Sequence, residues 1–247
     1  MDSREKARAV IMSGSVFVEG QKALKPGVLV DDGAGVEVRW KLAYVSRGGL
    51  KLERALNYFG VSPKGKVCID CGASTGGFTD CLLQNGAEMV YAVDVGYGQL
   101  AWSIRNDPRV AVMERMNIRN VTAEMLETKP ELAAVDLSFI SLALVLPVLS
   151  KLLAEGAEAL CLIKPQFEAG RDKVGKKGVV RDPGTHLEVL NRFLQFSMES
   201  GFFAKGLTHS PVKGPEGNIE YLGWISLSGE NQPLDCDKTV TLAHEEL

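Results

Sequence analysis

The stretch Val67-Cys68-Ile69-Asp70-Cys71-Gly72-Ala73-Ser74-Thr75-Gly76-Gly77-Phe78-Thr79-Asp80 decides the fold. A short apolar run ends in an acid, a loop of small residues follows, and the next residues carry an apolar pattern that reads as a helix. This predicts a buried strand that turns tightly into a helix and leaves bare backbone at the turn. In open α/β sheets the carboxyl ends of the strands hold nucleotide-like ligands.

Downstream of that turn, strands and helices alternate. Strands are predicted at 66–70, 89–95, 110–113, 132–136 and 159–164, with helices near 77–84, 99–105, 122–126 and 142–153. Such alternation means βαβ units, right-handed crossovers and a parallel sheet. A last helix near 187–200 leads into two extended runs, 202–209 and 220–227. With no helix between them, these make an antiparallel pair at one edge. Upstream, Ser46-Arg47-Gly48-Gly49 opens a helix from residue 50 to about 59, and residues 40–46 read as a linker. Residues 1–39 read as a small basic α+β module. It has a helix over 3–13, capped by Ser3 and stopped by Gly14, then strands at 16–18, 27–30 and 35–38. Residues 47–230 then form the large α/β domain and 231–247 a polar C-terminal tail.

The 247 residues are 45% hydrophobic, enough for a sizeable core. A net charge of −3 argues on its own against a nucleic-acid binder. Its distribution does not, because residues 1–66 carry 12 Lys/Arg against 7 Asp/Glu while the remainder carries 16 against 24. Such asymmetry suits a segment that faces nucleic acid. Of the 5 cysteines, Cys68 and Cys71 have CxxC spacing, but Cys81, Cys161 and Cys236 offer no second pair. No zinc or other metal is therefore expected, and the pattern suits a reducing, cytoplasmic compartment. The N-terminal residues show no apolar signal-peptide core. The longest apolar stretch, 137–149, contains Pro147 and is too short to span a bilayer.

The dinucleotide fingerprint Gly-x-Gly-x-x-Gly requires a glycine where the loop Gly72-Ala73-Ser74-Thr75-Gly76-Gly77 has Ser74. A pyrophosphate is less well provided for. Asp70 at the strand end can accept hydrogen bonds from an ammonium group, directly or through water. Asp94 ends the next strand, roughly 20 residues on, where ribose hydroxyls are bound. An amino-acid group and a ribose in one ligand point to S-adenosylmethionine. The candidate cofactor residues are thus Asp70, Gly72, Ala73, Ser74, Thr75, Gly76, Gly77, Phe78, Asp94 and Asp136. Met113, Met116 and Asn117 fall where the adenine is expected, and Phe78 and Phe139 are candidates to flank the adenine or a target base.

The acceptor is narrowed by the next two strand ends. Amine-methylating enzymes usually carry Asn/Asp-Pro-Pro-Tyr/Phe after the fourth strand, and Asp136-Leu137-Ser138-Phe139 has no proline. The following strand ends in Ile163-Lys164-Pro165-Gln166-Phe167. A lysine at the end of a buried apolar strand needs a partner, and in a doubly wound sheet Asp136 is placed to be that partner. Lys51 follows Ser46-Arg47-Gly48-Gly49, and Glu220 follows Gly217-Asn218-Ile219.

Lys51, Asp136, Lys164 and Glu220, in that order, resemble the catalytic tetrad of the FtsJ-like ribose 2′-O-methyltransferases. Four longer motifs are similar to the haemolysin A (TlyA) branch of that group. They are Ser46-Arg47-Gly48-Gly49-Leu50-Lys51-Leu52, the stretch from Asp70 to Asp80, Val135-Asp136-Leu137-Ser138-Phe139-Ile140-Ser141 and Leu162-Ile163-Lys164-Pro165-Gln166-Phe167-Glu168. The resemblance implies a Rossmann-like class I methyltransferase fold, seven-stranded and mostly parallel with an antiparallel edge strand. It also implies an N-terminal S4-type RNA-binding module, of which residues 1–39 match the later part and lack the opening helix. The implied activity is methyl transfer from S-adenosylmethionine, leaving S-adenosylhomocysteine, to a cytidine ribose of 16S and 23S ribosomal RNA, with ribosomal subunits as partners.

A ribose hydroxyl becomes a nucleophile when a neutral amine takes its proton. In this reading Lys164 is the general base, Asp136 fixes its direction, and Glu220 holds Lys51 or the ribose. RNA contacts are expected from Arg4, Lys6, Arg8 and Arg47, and from Arg171, Lys173, Lys176, Lys177 and Arg181 in a basic, glycine-rich segment after the base. That segment reads as a phosphate-contacting lid. Open alternatives are a membrane-lytic protein, a non-catalytic ribosome-binding module, and a DNA or protein methyltransferase.

Overall fold

The structure, a computed structural model, describes residues 4–12, 16–23, 25–38 and 43–247, without the side chains of Glu5, Lys6 and Ala9. The expected cap at Ser3, the stop at Gly14 and linker positions 40–42 lie outside these residues. The chain divides into two units, Met1–Ala43 and Tyr44–Leu247.

In the first unit, helix α1 (Arg4–Met12) precedes a small antiparallel sheet of β1 (Val16–Val18), β2 (Gln21–Lys22) and β3 (Val36–Val38), ordered β2-β1-β3. Glu19 and Gly20 both have positive φ and close the two-residue hairpin that pairs Val18 with Gln21. The strand expected at 27–30 does not form. Both edges of β1 are taken by β2 and β3, and Leu29 stands 97% exposed.

The second unit runs α2 (Gly48–Phe59), β4 (Val67–Cys71), α3 (Gly77–Gln84), β5 (Met89–Val93), α4 (Trp102–Arg105), β6 (Val110–Met113) and β7 (Leu132–Val135). It continues through α5 (Leu146–Leu152), β8 (Glu158–Ile163), α6 (Pro165–Glu168), α7 (Pro183–Glu199), β9 (Phe203–His209), β10 (Tyr221–Ser226) and α8 (Cys236–Glu246). The sheet order is β6-β5-β4-β7-β8-β10-β9. Strands β4 to β8 pair in parallel, and β10 runs antiparallel to both β8 and β9. The strand that opposes the others is therefore the penultimate one, inserted between β8 and β9.

Period-two alternation along β4 sends Val67, Ile69 and Cys71 to one face and Cys68 to the other. The first face packs on Leu146 and Leu149 of α5, Leu190 and Phe193 of α7 and Val240 of α8. The second packs on Leu52 and Leu56 of α2 and Phe78 and Leu82 of α3. This is a three-layer α/β/α domain with all five cysteines buried.

Three local expectations are corrected. Residues 122–126 form a single 3-10 turn, because so short a segment cannot offset the cost of nucleating an α-helix. Helix α7 starts at Pro183, four residues before expectation, with Asp182 accepting hydrogen bonds from the Thr185 backbone and hydroxyl at 2.8 Å. Residues 231–247 are not simply a polar tail. They carry α8, whose Cys236, Val240 and Ala243 are buried in the domain core.

Candidate active site

The central strands end level with one another. Cys71 pairs with Val93 on one side and Val135 on the other, and Val135 with Cys161. The sheet grows in opposite directions from β4 and β7, which makes the edge between them the switch point where α/β folds bind ligands. Gly72, Asp94, Asp136 and Lys164 each follow one of these strands. Gly72 has φ +95°, and a Cβ there would lie 2.3 Å from the Asp136 carbonyl oxygen. Any side chain at 72 would force apart the two turns that form the cleft floor.

A cavity of about 810 Å³ opens over this edge, lined among others by Asp94, Gln99, Met116, Asn117, Leu137 and Phe139. A second cavity, about 340 Å³, adjoins it, and the two share Gly72, Ser74 and Asp136 as walls. The larger cavity suits the nucleoside part of S-adenosylmethionine. Asp94 accepts hydrogen bonds from the Ser74 and Gly96 backbone at 2.8 and 2.6 Å. An ionised carboxylate accepts about four, so roughly two positions stay open for a ribose diol. Val93, Met116 and Ile118 give the same cavity apolar surface for a purine.

Other expected cofactor residues fall elsewhere. Ala73, Thr75, Gly77 and Phe78 line the smaller cavity, while Asp70, Gly76 and Met113 line neither. Asp70 points to the α3 side of the sheet, where its Oδ2 accepts hydrogen bonds from the Thr79 backbone at 2.9 Å and hydroxyl at 2.6 Å. It is fully buried and its Oδ1 has no hydrogen-bond partner. Burial pushes its carboxyl up to about 7, against the pull of the Thr79 hydroxyl. Where an ammonium contact was expected, Asp70 instead anchors the first turn of α3.

The smaller cavity collects Lys51 from α2, Asp136 after β7, Lys164 after β8 and Glu220 before β10. The Lys164 ammonium lies 2.6 Å from Asp136 Oδ1, an ion pair rather than an aligned hydrogen bond, and donates to Ser138 Oγ at 3.0 Å. Lys51 donates to Glu220 Oε2. Glu220 is fully buried and its Oε1 has no hydrogen-bond partner. That oxygen lies 2.1 Å from where a Cβ at Gly214 would stand, so any side chain at 214 would have to displace the Glu220 carboxylate. Two cations and two anions in one pocket offset each other's desolvation. Glu168 locks the adjoining loop by accepting hydrogen bonds from Ser141 Oγ at 2.6 Å and the Leu142 backbone at 2.8 Å.

Ser138 and Lys213, which lines the smaller cavity, were not singled out from sequence. Ser138 sits inside the Asp136–Phe139 motif and was within reach. Lys213 is an exposed loop lysine with no local signal. Phe139 is 90% exposed with φ +64° and lies 5.0 Å, ring to ring, from Phe167. Phe78 is buried. Arg47 lines the smaller cavity, Arg171, Lys176, Lys177 and Arg181 are exposed nearby in sequence to the base, and Lys173 is paired with Glu188 of α7. Arg4 and Arg8 are exposed on α1 of the first unit, and the Lys6 side chain lies outside the described residues. Among the described residues no helix is long and apolar enough to cross a membrane, and no group of His, Cys, Asp or Glu is arranged to hold a metal ion.

This switch-point cleft on a mostly parallel seven-stranded sheet is that of a Rossmann-like, S-adenosylmethionine-dependent methyltransferase. Solved enzymes of that class at 15–16% identity share the fold alone, with TM-scores of 0.51–0.53. The chain belongs to the FtsJ-like methyltransferase family, whose profile matches residues 44–226. It is 54% identical over 233 residues to YqxC of Bacillus subtilis, provisionally named an rRNA methyltransferase, covering 94% of this chain and 83% of that one. It is 46% identical over 225 residues to the 16S/23S rRNA (cytidine-2′-O)-methyltransferase TlyA of Mycobacterium tuberculosis, covering 90% and 84%. A solved Streptococcus thermophilus structure, provisionally titled a hemolysin, superposes with TM-score 0.83 at 45% identity over 100% of this chain and 92% of that one.

Proposed function

We propose that this protein methylates a ribose 2′-hydroxyl, most simply a cytidine ribose, in ribosomal RNA presented on ribosomal subunits in the cytoplasm, with Lys164 as the general base. One observation carries this reading. Lys51, Asp136, Lys164 and Glu220, far apart in sequence, line a single small cavity that shares a wall with the nucleoside-shaped one. When bound, S-adenosylmethionine supplies an electrophilic sulfonium methyl. Asp136 and Ser138 fix the Lys164 amine in the smaller cavity, beside the shared-wall residue Asp136, where an incoming hydroxyl meets it. With its own proton first released to solvent, Lys164 would take the hydroxyl proton as the oxygen attacks the methyl, whose bond to sulfur would break to leave S-adenosylhomocysteine. The Lys51–Glu220 pair orients the ribose from the opposite side, and Arg47 and Lys213 at the cavity lining offer positive charge to the flanking phosphates. The rate gain comes from placing hydroxyl, base and methyl in line.

The test is transfer of tritiated methyl onto purified ribosomal subunits, followed by nucleotide mapping. Lys164→Ala should lower turnover by about 10²–10⁴-fold, the usual range for a general base. Its affinity for S-adenosylmethionine, read by calorimetry, should stay within about twofold. A Lys164→Ala enzyme with normal turnover overturns the assignment of the base. Methyl mapped to a base or to protein overturns the assignment of the acceptor.

A further inference from the structure

The basic segment after the base is not a free loop. Gly175 donates to Val179 O at 3.0 Å and Gly178 to Gly175 O at 2.9 Å, closing a tight turn with exposed Lys176 and Lys177 at its tip. Behind the tip the chain dives inward, and Val180 is buried. Its backbone is held at both polar atoms. The Val180 N–H donates to Asn218 Oδ1 at 3.2 Å, and Val180 O lies 3.0 Å from His186 Nε2.

Each partner leads to Glu220. Asn218 is buried, and its Nδ2 donates to Gly178 O at 3.0 Å and to Pro215 O at 3.1 Å. Its own carbonyl accepts from the Gly214 N–H at 2.8 Å, closing the turn that presses Gly214 against the Glu220 carboxylate. His186 is fully buried. A carbonyl can only accept, so Nε2 carries the proton and Nδ1 accepts from the Tyr221 hydroxyl at 2.7 Å. Burial lowers the pKa of this ring and so favours its neutral form. Asn218 and Tyr221 flank Glu220 in sequence, so the root of the basic turn and the carboxylate that grips Lys51 are tied from two directions.

We infer that Asn218 is a positioning residue, supported by His186, that couples the lysine-tipped turn to the Lys51–Glu220 pair. Phosphate contact at Lys176 and Lys177 thereby orders the pair that orients the ribose. Binding energy gained away from the reacting atoms then appears in kcat and not only in KM. The inference rests on the ribose-methylation reading above.

The experiment is a double-mutant cycle on methyl transfer to ribosomal subunits, comparing wild type, Lys176→Ala/Lys177→Ala, Asn218→Ala and the combination. Affinity for S-adenosylmethionine serves as the folding control. The lysine changes alone should raise KM and lower kcat several-fold each. Asn218→Ala should lower kcat about tenfold with cofactor affinity kept within twofold. In the Asn218→Ala background the lysine changes should alter KM alone. Independent, multiplicative effects on kcat, or wild-type kcat for Asn218→Ala, overturn the coupling. If Asn218→Ala loses cofactor binding, the isosteric Asn218→Asp takes its place in the cycle. It keeps the bond from Val180 and drops those to Gly178 and Pro215, and the same loss of coupling is expected. Wild type with no transfer to RNA ribose overturns the function itself, an outcome distinct from active enzyme without coupling.

Discussion

At the scale of single residues, the site contrasts two kinds of buried acid. Glu220 is paired with a lysine, whereas Asp70 is buried with hydrogen-bond donors of Thr79 and feels the negative charges of Asp136 and Asp94. An unfolded aspartate titrates near ~4. The folded protein therefore keeps the Asp70 proton between about pH 4 and about 7, where the unfolded chain has lost it. The group favours the fold fully below ~4, and that contribution is lost as pH rises to about 7. Asn at this position does not titrate. The melting temperature of wild type, measured against Asp70→Asn, should fall between pH 4 and 7 and level off above. Parallel pH curves for the two proteins would refute this account. From sequence, Asp70 reads as a ligand contact because it ends a strand at the switch point. Strand alternation turns it under α3 instead, and a carboxylate's partner across a helix turn is not visible in one-dimensional spacing.

At the scale of elements, legibility follows locality. The β4 turn, the alternation of strands and helices and the last antiparallel pair can all be read, because each is written in contiguous apolar runs and turn residues. The insertion of β10 between β8 and β9 cannot be, since strand order is fixed by pairings between distant segments. The tetrad is legible only through motif resemblance, as its four members lie up to 169 positions apart. The early start of α7 was readable from Asp182-Pro183, a capping residue followed by proline at the first helical position. What holds α7 down is a knob over a gap. Phe193 lies over Gly223 of β10, where an added Cβ would come within 2.6 Å of its ring. Gly223→Ala should cost about 1–3 kcal/mol by overpacking, read as a lower urea midpoint with an unchanged slope. An unchanged midpoint would mean that α7 shifts freely on the sheet.

At the scale of the whole molecule, the parts that hold ligands and the parts that hold the fold are separable. No residue beyond Glu220 lines either cavity, yet α8 buries Cys236, Val240 and Ala243 in the core on the α7 side. Ending the chain at residue 235 should therefore lower the melting temperature. Val240 alone contributes about 1.5–3 kcal/mol by burial. Affinity for S-adenosylmethionine, measured below the new transition, should be retained. Loss of that affinity in a still folded truncated protein would contradict the separation. The shared wall of Gly72, Ser74 and Asp136 has a consequence for chemistry brought from outside. The two chambers lie side by side there, with those three residues lining both. A synthetic bisubstrate compound, an adenosine head tethered through a short neutral spacer to a second nucleoside, would occupy both chambers at once. Its second half would bind at the high effective concentration that a short tether confers.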